Sequence, residues 1–570
     1  MAVLPILTGC KSFRELREKR CCYVDKTSFL EELLARYPAK VSLITRPRRF
    51  GKTLNMSMLA EFFDIRKDSK ALFEGLAIAG NRELCAAWMN RYPVIFLSFK
   101  DVGGNSFSHA RNDVQELAIS LCSQFAFLQE SPAVGFAEKR ILHHVMHATA
   151  TESMLTRTLF TLCRALHAHY GKQVILLVDE YDVPLARAEE NGYYREMVSF
   201  FRSLLGAALK GNDALLFAVL TGCLRIAKES IFTGLNNFKC YGISDTRFSE
   251  SFGFTEQEVK QRLADSGFSA RMAGMKEWYD GYRFGKGQEI YCPWDVLQYI
   301  DDLLEDPDTR PGRYWRNTSS NDIVREFLGS ASEDTRGKLE MLARGGCIAQ
   351  HLVEDITYDD LYASETNVWT VLYLTGYLTK ASRSVCEESG ITPAGDEECL
   401  VVPNKEIRTI YTENFLSWIL DTFKARDRRD LFDAFWKGDA ETLSSLVSDL
   451  LMEVMSCRDY HENYYHGLMV GLFTGKRIPV SSNDESGEGL PDITVKDTKN
   501  RRYAVVEVKR ALSASAMAKK AEEALEQIMM RRYDAPMQDT GGTIIHWGLA
   551  FFRKECLARC EIVAPGGKNG

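Results

Sequence analysis

Short apolar runs alternate with longer amphipathic segments through the first 250 residues of the chain. Four of these runs have the length and composition of buried strands: Val41–Thr45, Val94–Phe99, Val174–Asp179 and Leu215–Thr221. Each run is separated from the next by enough chain to form a helix, which is typical of a parallel sheet covered on both faces. The pattern therefore predicts an α/β fold that begins with a parallel sheet and helices on both of its faces.

The strand signal fades after about residue 255, and helical patterns replace it. Within this middle region, Gly376–Thr379 and Leu400–Val402 predict a small hairpin after a helix, as in a winged-helix domain. We therefore expect a helical middle region with a part that resembles a winged helix. The predicted helices are Glu256–Leu263, Trp294–Leu304, Ile323–Leu328 and Glu413–Phe423.

A third pattern begins at about residue 426. A helical region, Leu431–Phe473, leads into the polar stretch Ser481–Gly489. The elements predicted after it are the strands Ile493–Lys496 and Tyr503–Lys509, the helix Ser513–Tyr533 and a last strand, Gly542–Phe552. This is a compact α/β module, and we predict three domains: residues 1–254, 255–425 and 426–570.

Composition narrows the class of protein. The chain has 570 residues, of which 45% are hydrophobic and 26% charged, as in soluble globular proteins. Its net charge of −7 gives no overall attraction to nucleic acid, so any such contact requires a local basic groove. No run of 18 apolar residues is present, and Met1–Cys10 has no basic region ahead of it, so we expect a cytoplasmic protein with no membrane partner.

The 15 cysteines show no C-x-x-C spacing, which favours reduced, packed thiols. Cys556 and Cys560 are spaced one helical turn apart, which would suit a metal, but no second pair completes a zinc site. We therefore expect no cysteine-bound metal.

A candidate phosphate-binding loop follows the first predicted strand. Val41–Thr45 runs into the segment Arg46–Thr53, and a helical pattern begins at once afterwards. At such a helix start, Gly51 allows close approach of the backbone, Lys52 reaches the β- and γ-phosphates, and the Thr53 hydroxyl binds Mg²⁺. The usual pattern places a glycine at position 46, where this chain has an arginine. Arg46, Arg48 and Arg49 add positive charge for phosphate or for another polyanion.

Acidic residues complete this constellation. The apolar strand Val174–Asp179 is followed by Glu180. This pattern predicts that Asp179 holds Mg²⁺ through water and that Glu180 polarises the attacking water. Thr221, at the end of the next predicted strand, is a candidate sensor of the γ-phosphate. Arg225 is either a phosphate-contacting arginine, from this subunit or across an interface, or a surface salt-bridge residue.

Several segments together resemble the bacterial AAA-ATPase-like family of P-loop proteins. The resemblance covers about residues 3–300 and implies that ATP is the nucleotide and that the loop Arg48, Arg49, Phe50, Gly51, Lys52 and Thr53 is this family's form of the phosphate-binding loop. The segments that carry it are residues 23–27, 45–53, 179–184, 221–232, 234–237 and 278–282.

A second constellation lies near the C-terminus. Asp492 follows a proline at the start of one predicted strand, and Glu507 and Lys509 lie on the next, pointing to the same face. Pairing of the two strands as a hairpin places Asp492 beside Glu507. Two adjacent carboxylates favour a shared divalent cation, here Mg²⁺, and Lys509 would position water or stabilise developing charge. A surface hairpin with a Glu–Lys pair is the alternative.

This segment resembles the PD-(D/E)XK nuclease superfamily over about residues 455–555. The resemblance implies that Glu462, on a preceding helix, is an additional acid near the metal, and that Gln527, on the following helix, orients water or phosphate. The supporting segments are residues 459–467, 485–487, 491–492, 507–509 and 524–528.

We predict an ATPase whose nucleotide state gates phosphodiester cleavage of DNA or RNA, in defence or in the handling of mobile elements. One alternative is a nucleotide-switched interaction or nucleic-acid-binding protein whose nuclease-like domain does not cut. Another is a signalling ATPase whose assembly into an oligomer is the output.

Overall fold

The computed structural model describes most of the 570 residues. The described residues are 4–35, 39–225, 232, 238–315, 332–353, 364–412, 429–454, 465, 468–469, 472–473, 480–481, 491–538 and 540–563.

The described residues form both strands and helices in every part of the chain. The strands are β1 (Val41–Thr45), β2 (Val94–Ser98), β3 (Val174–Asp179), β4 (Leu215–Gly222), β5 (Phe238–Tyr241), β6 (Phe254–Thr255), β7 (Tyr282–Phe284), β8 (Gln288–Tyr291), β9 (Ile348–Gln350), β10 (Thr379–Lys380), β11 (Glu398–Val401), β12 (Val480–Ser481), β13 (Ile493–Asp497), β14 (Arg502–Arg510), β15 (Thr543–Phe552) and β16 (Glu555–Val563). The helices are α1 (Phe13–Glu18), α2 (Ser28–Leu34), α3 (Lys52–Phe63), α4 (Lys70–Phe73), α5 (Arg82–Trp88), α6 (Phe107–Ser123), α7 (Phe136–Met146), α8 (Glu152–Thr156), α9 (Thr158–Tyr170), α10 (Val183–Glu190), α11 (Tyr194–Leu209), α12 (Glu256–Asp265), α13 (Met272–Tyr279), α14 (Pro293–Glu305), α15 (Glu333–Ala343), α16 (Glu365–Thr375), α17 (Arg383–Glu388), α18 (Arg429–Lys437), α19 (Ala440–Val454), α20 (Met517–Met530) and α21 (Ala535–Gln538).

The chain divides into two compact units. The first contains residues 1–318 and 345–408, and the second contains residues 319–344 and 409–570. The three-domain division at residues 254 and 425 stays a prediction.

A parallel sheet of five strands forms the centre of the first unit, in the order β2-β3-β4-β1-β5. Every residue of β1, β3 and β4 is buried, which explains why these runs are apolar without alternation. The four predicted strands and their parallel arrangement are therefore confirmed. Because all strands point the same way, the residues that follow β1, β3 and β4 lie at one edge of the sheet.

Two small sheets of three strands complete the described part of the first unit. One has the order β6-β8-β7 and the other the order β10-β11-β9, both antiparallel. The predicted pairing of the segments around Thr379 and Leu400 is present as β10 and β11. Strand β9 adds a third strand that the hydrophobic pattern did not predict. The predicted helices Ile323–Leu328 and Glu413–Phe423 lie outside the described residues.

Helix ends in this unit follow local sequence signals. Helix α12 begins with a capping box, in which the Thr255 side chain accepts from the Glu258 backbone N–H and the Glu258 side chain accepts from the Thr255 N–H. Helix α16 ends at Gly376, whose φ of 92° lies in the left-handed region that glycine tolerates. The predicted helices at 256–263 and 294–304 are thus confirmed as α12 and α14.

The second unit contains a mixed sheet in the order β12-β13-β14-β15-β16. Strand β14 pairs antiparallel with β13 and parallel with β15, and helix α20 lies in the connection between β14 and β15. The predicted hairpin, helix and following strand are therefore confirmed. The expectation that the strand ending at Phe552 is the last was wrong, because β16 follows and pairs with β15. Cys556 and Cys560 lie on β16, so they are not one helical turn apart.

Among the described residues, no helix combines the length and the apolar character needed to cross a bilayer.

Candidate functional site

The candidate phosphate-binding loop of the first unit leads directly into helix α3. Gly51 caps the helix with a φ of 82°, a left-handed conformation that costs a glycine little. Lys52 and Thr53 then form the first turn, where backbone N–H groups have no partner within the helix. The arrangement is that of an anion-binding helix start, as the sequence predicts.

Asp179, at the end of β3, is the centre of a hydroxyl cluster at the edge of the sheet. Its carboxylate is fully buried. Oδ2 accepts from the Thr53 hydroxyl at 2.8 Å and from the Ser98 hydroxyl at 3.2 Å, and Oδ1 accepts from the Thr221 hydroxyl at 2.7 Å. Thr53, Asp179 and Thr221 are thus brought together. Ser98 was missed, although its place at the end of an apolar strand beside β3 was a signal that could have found it.

The side chain of Lys52 lies over the loop itself. Its Nζ donates to the carbonyl oxygens of Arg46 at 2.9 Å and Pro47 at 2.8 Å, and lies 3.5 Å from Cys223 Sγ. Lys52 is 5% exposed, and its charge partly opposes the rise in the pKa of Glu180 that burial causes. The lysine therefore lies near the acidic residues and makes contacts that a phosphate oxygen could replace.

Glu180, the residue after Asp179, has an uncommon backbone conformation and a carboxyl group with a raised pKa. Its φ is 52°, an uncommon left-handed conformation for a non-glycine residue. Burial raises the pKa of Glu180, and the charge of Asp179 raises it further. A half-buried carboxyl group with a raised pKa beside Asp179 is suited to accept a proton from water.

Asp182 holds the segment after β4 against this site. It is buried, and its Oδ2 accepts from the backbone N–H groups of Cys223 at 2.7 Å and Leu224 at 3.0 Å. Tyr181 reinforces the contact by donating from its hydroxyl to the Leu224 carbonyl at 2.8 Å. Arg225 follows this segment and is half-buried. Its two interpretations both stay predictions.

The arginine at position 46 has a structural role. Its side chain is fully buried, and its guanidinium donates to the carbonyl oxygens of Thr45, Tyr241, Gly242 and Phe248. The expectation of phosphate charge from this arginine was wrong, because the guanidinium points into the protein and joins the loop to the segment after β5. A glycine at this position would remove these four hydrogen bonds.

The other members of the loop divide between surface and interior. Arg48 is exposed, whereas Phe50 is buried against the rings of Tyr282 and Phe284. Arg49 has a φ of 70°; it donates to the Tyr314 carbonyl, and its guanidinium lies 4.8 Å from the centre of the Trp294 ring. Of these two arginines, Arg48 therefore keeps the exposure that a phosphate contact needs, and Arg49 is engaged within the first unit.

A pair of buried carboxyl groups near Arg49 was also missed. Glu406 Oε1 accepts from the backbone N–H groups of Tyr314 and Trp315, and Asp295 Oδ2 accepts from the Trp315 indole N–H at 3.1 Å. Burial raises the pKa of both carboxyl groups. No sequence signal finds this pair, because its members are far apart in the chain and belong to no motif.

The acidic cluster of the second unit forms where β13 and β14 pair. Ile493 lies opposite Val506, so Asp492 faces Glu507 across the hairpin. Asp492 Oδ2 accepts from the Val508 backbone N–H at 2.8 Å, and the Asp492 N–H lies 3.5 Å from Glu507 Oε2. The predicted juxtaposition of the two acids is present.

Two further residues contact Glu507. Lys509 Nζ lies 3.0 Å from Glu507 Oε1, and Gln527 Nε2, from α20, donates to the same oxygen. Gln527 also lies 3.3 Å from the Tyr533 hydroxyl, a residue that the sequence analysis missed. Glu462 lies outside the described residues, so its place in this cluster stays a prediction.

The electrostatics of this cluster suit a divalent cation. Glu507 is 2% exposed, and burial raises its pKa, with a further contribution from the charge of Asp492. Two neighbouring carboxylates repel each other, and a cation that lies between them relieves this repulsion. Asp492 and Glu507 therefore fit Mg²⁺ by their donor atoms, and Thr53 and Asp179 do so in the first unit.

Comparison with known proteins gives two family matches. Residues 7–232 match a family described as predicted AAA-ATPase, and residues 460–561 match the PD-(D/E)XK nuclease superfamily. These are the two families that the sequence analysis named, in the expected order along the chain.

A relative and a solved structure are also similar. A protein of Azotobacter chroococcum mcd 1, named "Uncharacterized protein in vnfD 5'region", is 27% identical over 514 residues, which cover 86% of each chain. The structure of the Aeropyrum pernix Orc1 protein in complex with DNA covers 72% of this chain and 94% of that chain, at 12% identity. Its TM-score of 0.22 is too low to support an argument.

Proposed function

Because the chain carries an AAA-ATPase-like domain followed by a PD-(D/E)XK nuclease superfamily domain, we propose that it is an ATPase joined to a nuclease that requires a divalent metal. The substrates are ATP and a nucleic acid. The observation that supports this most strongly is that, in each segment, the acids that would hold a cation lie beside a lysine.

In the ATPase site, each residue has a separate task. Lys52 exchanges its loop carbonyl contacts for the oxygens of the β- and γ-phosphates. Thr53 and Asp179 hold Mg²⁺, Thr221 and Ser98 keep Asp179 oriented, and Glu180 accepts a proton from the attacking water. Arg48 and Arg225 contribute positive charge toward the phosphates.

In the nuclease site, Asp492 and Glu507 hold the cation, and Gln527 and Lys509 orient Glu507. A bound divalent ion supplies a Lewis acid that neutralises a phosphate oxygen and lowers the pKa of water. Lys509 is also placed to stabilise negative charge that develops on the phosphate. The scissile bond belongs to a DNA or RNA phosphodiester.

We further propose that the nucleotide state of the first unit controls cutting by the second. Fusion of two such activities in one chain supports this coupling, and defence against foreign DNA or handling of mobile elements is the setting that such a pair suits.

The test is a cleavage assay on single- and double-stranded DNA and RNA, with Mg²⁺ or Mn²⁺, with and without ATP. We expect Asp492→Asn to reduce cleavage at least about 100-fold while ATP hydrolysis continues, because one of the cation's two carboxylates is lost. We expect Lys52→Ala to abolish ATP binding and with it the effect of ATP on cleavage.

Asp497→Asn is the matched control, since Asp497 lies on β13 but its carboxylate pairs with Arg502, at the other end of the strand. Cleavage by Asp492→Asn at the parent rate would refute the nuclease. Cleavage that responds to ATP equally in the parent and in Lys52→Ala would refute the gating and leave the nuclease standing.

A nucleotide-switched protein that binds nucleic acid without cutting is the second candidate. The contacts of Lys509 and Gln527 with Glu507 favour it, because they already satisfy one carboxylate oxygen. Nucleic-acid binding without cleavage under any metal, and unchanged by Asp492→Asn, would establish this alternative. A change in the protein's oligomeric mass on addition of ATP would instead support the signalling ATPase, whose output is its assembly into an oligomer.

A further inference from the structure

Three buried cysteines from separate segments converge in the small sheet β10-β11-β9. Cys347 directly precedes β9, Cys386 lies on α17, and Cys399 lies on β11. The Sγ atoms of Cys347 and Cys386 are 3.9 Å apart, and all three Sγ atoms lie within 4.8 Å of one another. Cys347 and Cys386 are separated by 39 residues, so no scan for cysteine spacing would find the group.

The distances between the sulfurs suit a shared metal ion. A zinc–thiolate bond is about 2.3 Å long, so two thiolates on one ion lie about 3.8 Å apart in tetrahedral geometry and about 4.0 Å apart in trigonal geometry. The Cys347–Cys386 distance falls between these values. It is also about twice the length of a disulfide bond, so the sulfurs are not placed for a covalent link.

The position of the thiols in the fold supports the same conclusion. Strands β9, β10 and β11 have three, two and four residues, which is too short for a sheet to be stable by strand pairing alone. The apolar cluster inside this sheet consists of the three cysteines, with Ala381, Ile391 and Val401 packed against them. The sulfurs thus occupy the place of a hydrophobic core, and a metal ion there would join β9, β11 and α17.

We propose that Cys347, Cys386 and Cys399 bind one soft, thiol-seeking metal ion, of which Zn²⁺ is the physiological candidate. Binding replaces three S–H bonds by three metal–sulfur bonds and releases three protons to solvent. Within the described residues, no fourth cysteine, histidine or acid joins the group, so the described ligand set is three thiolates. The site is structural and stands independently of the ATPase and nuclease assignments.

The test is a Cd²⁺ titration of the full-length, reduced, metal-free protein, followed by the ultraviolet charge-transfer absorption of cadmium–thiolate bonds. Carboxylates of the nuclease site do not produce this absorption. We expect one equivalent of thiolate-bound Cd²⁺, and we expect Zn²⁺ to abolish the signal by competition. We also expect the Tm to rise by several degrees on binding.

The variants Cys347→Ser, Cys386→Ser and Cys399→Ser should each lose the one-equivalent signal and the metal-dependent rise in Tm. Cys122→Ser is the matched control, because Cys122 is also buried but belongs to no such group in the described part of the chain. Cys386→Ala, measured for far-ultraviolet circular dichroism without metal, separates loss of binding from loss of folding. A parent protein without the signal, a signal that survives in the three serine variants, or a Cys347–Cys386 disulfide formed in place of metal binding would overturn the proposal.

Discussion

Arg46 departs from the usual motif, yet the loop still leads into the helix start at Gly51 and Lys52. A phosphate-binding loop of the usual pattern has glycine at this position, where this chain has an arginine. In the structure the arginine side chain points into the protein. Its guanidinium donates to the carbonyl oxygen of Thr45, at the end of β1, and to carbonyl oxygens at the end of β5 and in the segment after it. Burial lowers its pKa to about 10, and the nearby charge of Asp245 opposes that shift. The guanidinium is therefore still charged at neutral pH.

Replacement of Arg46 by methionine should lower the free energy of unfolding by roughly 2–4 kcal/mol. Buried carbonyl oxygens that lose a charged donor keep the cost of their desolvation, which is about 1–3 kcal/mol for each group left unsatisfied. Relief of the buried charge offsets part of that cost. Chemical denaturation measures the change.

The control for this change is Arg48→Ala, at an exposed position of the same loop. We expect it to alter the free energy of unfolding by less than about 0.5 kcal/mol and to weaken ATP binding. Equal stability of the two variants would contradict the structural role of Arg46.

At the scale of elements, helix α20 lies unusually close to β15, and this closeness positions Gln527. Gly548 is opposite Glu507 in the strand register. A Cβ atom at position 548 would lie 2.1 Å from the carbonyl oxygen of Ala521 in the helix. The absence of a side chain at Gly548 thus allows the helix to approach, and Gln527 to reach the carboxylate.

We expect Gly548→Ala to destabilise the protein by about 1–3 kcal/mol, because the helix must move away from the sheet. The cleavage rate of the folded variant should also be lower than that of the parent, because Gln527 moves away from Glu507. Thermal unfolding and the cleavage rate at a temperature where the variant is fully folded measure the two effects.

Gly206→Ala is the comparison for this prediction. Gly206 lies within helix α11, and a Cβ atom there would have no neighbour within 4 Å. Because alanine is the better helix former, the free energy of unfolding of this variant should rise by up to about 1 kcal/mol. If Gly206→Ala lost as much stability as Gly548→Ala, the distance between helix α20 and the sheet would not be the cause of the effect.

At the scale of the whole molecule, the pH dependence of the first unit's stability involves two buried carboxyl groups that are far apart in the chain. Asp295 and Glu406 approach each other beneath the backbone of Tyr314 and Trp315, and burial raises the pKa of both. A carboxyl group with a raised pKa in the folded state stabilises the fold below its unfolded pKa of about 4, and that contribution is lost as the pH rises through the folded pKa.

The stability of the first unit should therefore decrease as the pH rises from about 4 through neutrality into the alkaline range. Glu406→Gln should reduce this decrease, since an amide keeps the two accepted hydrogen bonds and cannot ionise. One pKa unit corresponds to about 1.4 kcal/mol. We therefore expect the free energy of unfolding of Glu406→Gln at pH 9 to exceed that of the parent by at least about 1 kcal/mol. The Tm measured across this pH range is the readout, and a parallel decrease in parent and variant would contradict the prediction.

Local sequence patterns were sufficient to predict many of the strands and the placement of several candidate site residues. The buried runs of β1, β3 and β4 follow from apolar residues without alternation, and the placement of Thr53 near Asp179 follows from the rule that parallel strands end at one edge. The hairpin that brings Asp492 to Glu507 was predictable because side chains alternate along strands.

The tertiary structure decided what depends on contacts between segments distant in the chain. The burial of Arg46, the partnership of Asp295 with Glu406, and the convergence of Cys347, Cys386 and Cys399 leave no periodic or spaced signal in the sequence. Hydrophobic periodicity reports which face of an element is buried, but not which other element covers it. The nucleotide and nuclease motifs could therefore be found in the sequence alone, whereas the residues that hold the loop, the carboxyl pair and the thiol group became visible only in the folded chain.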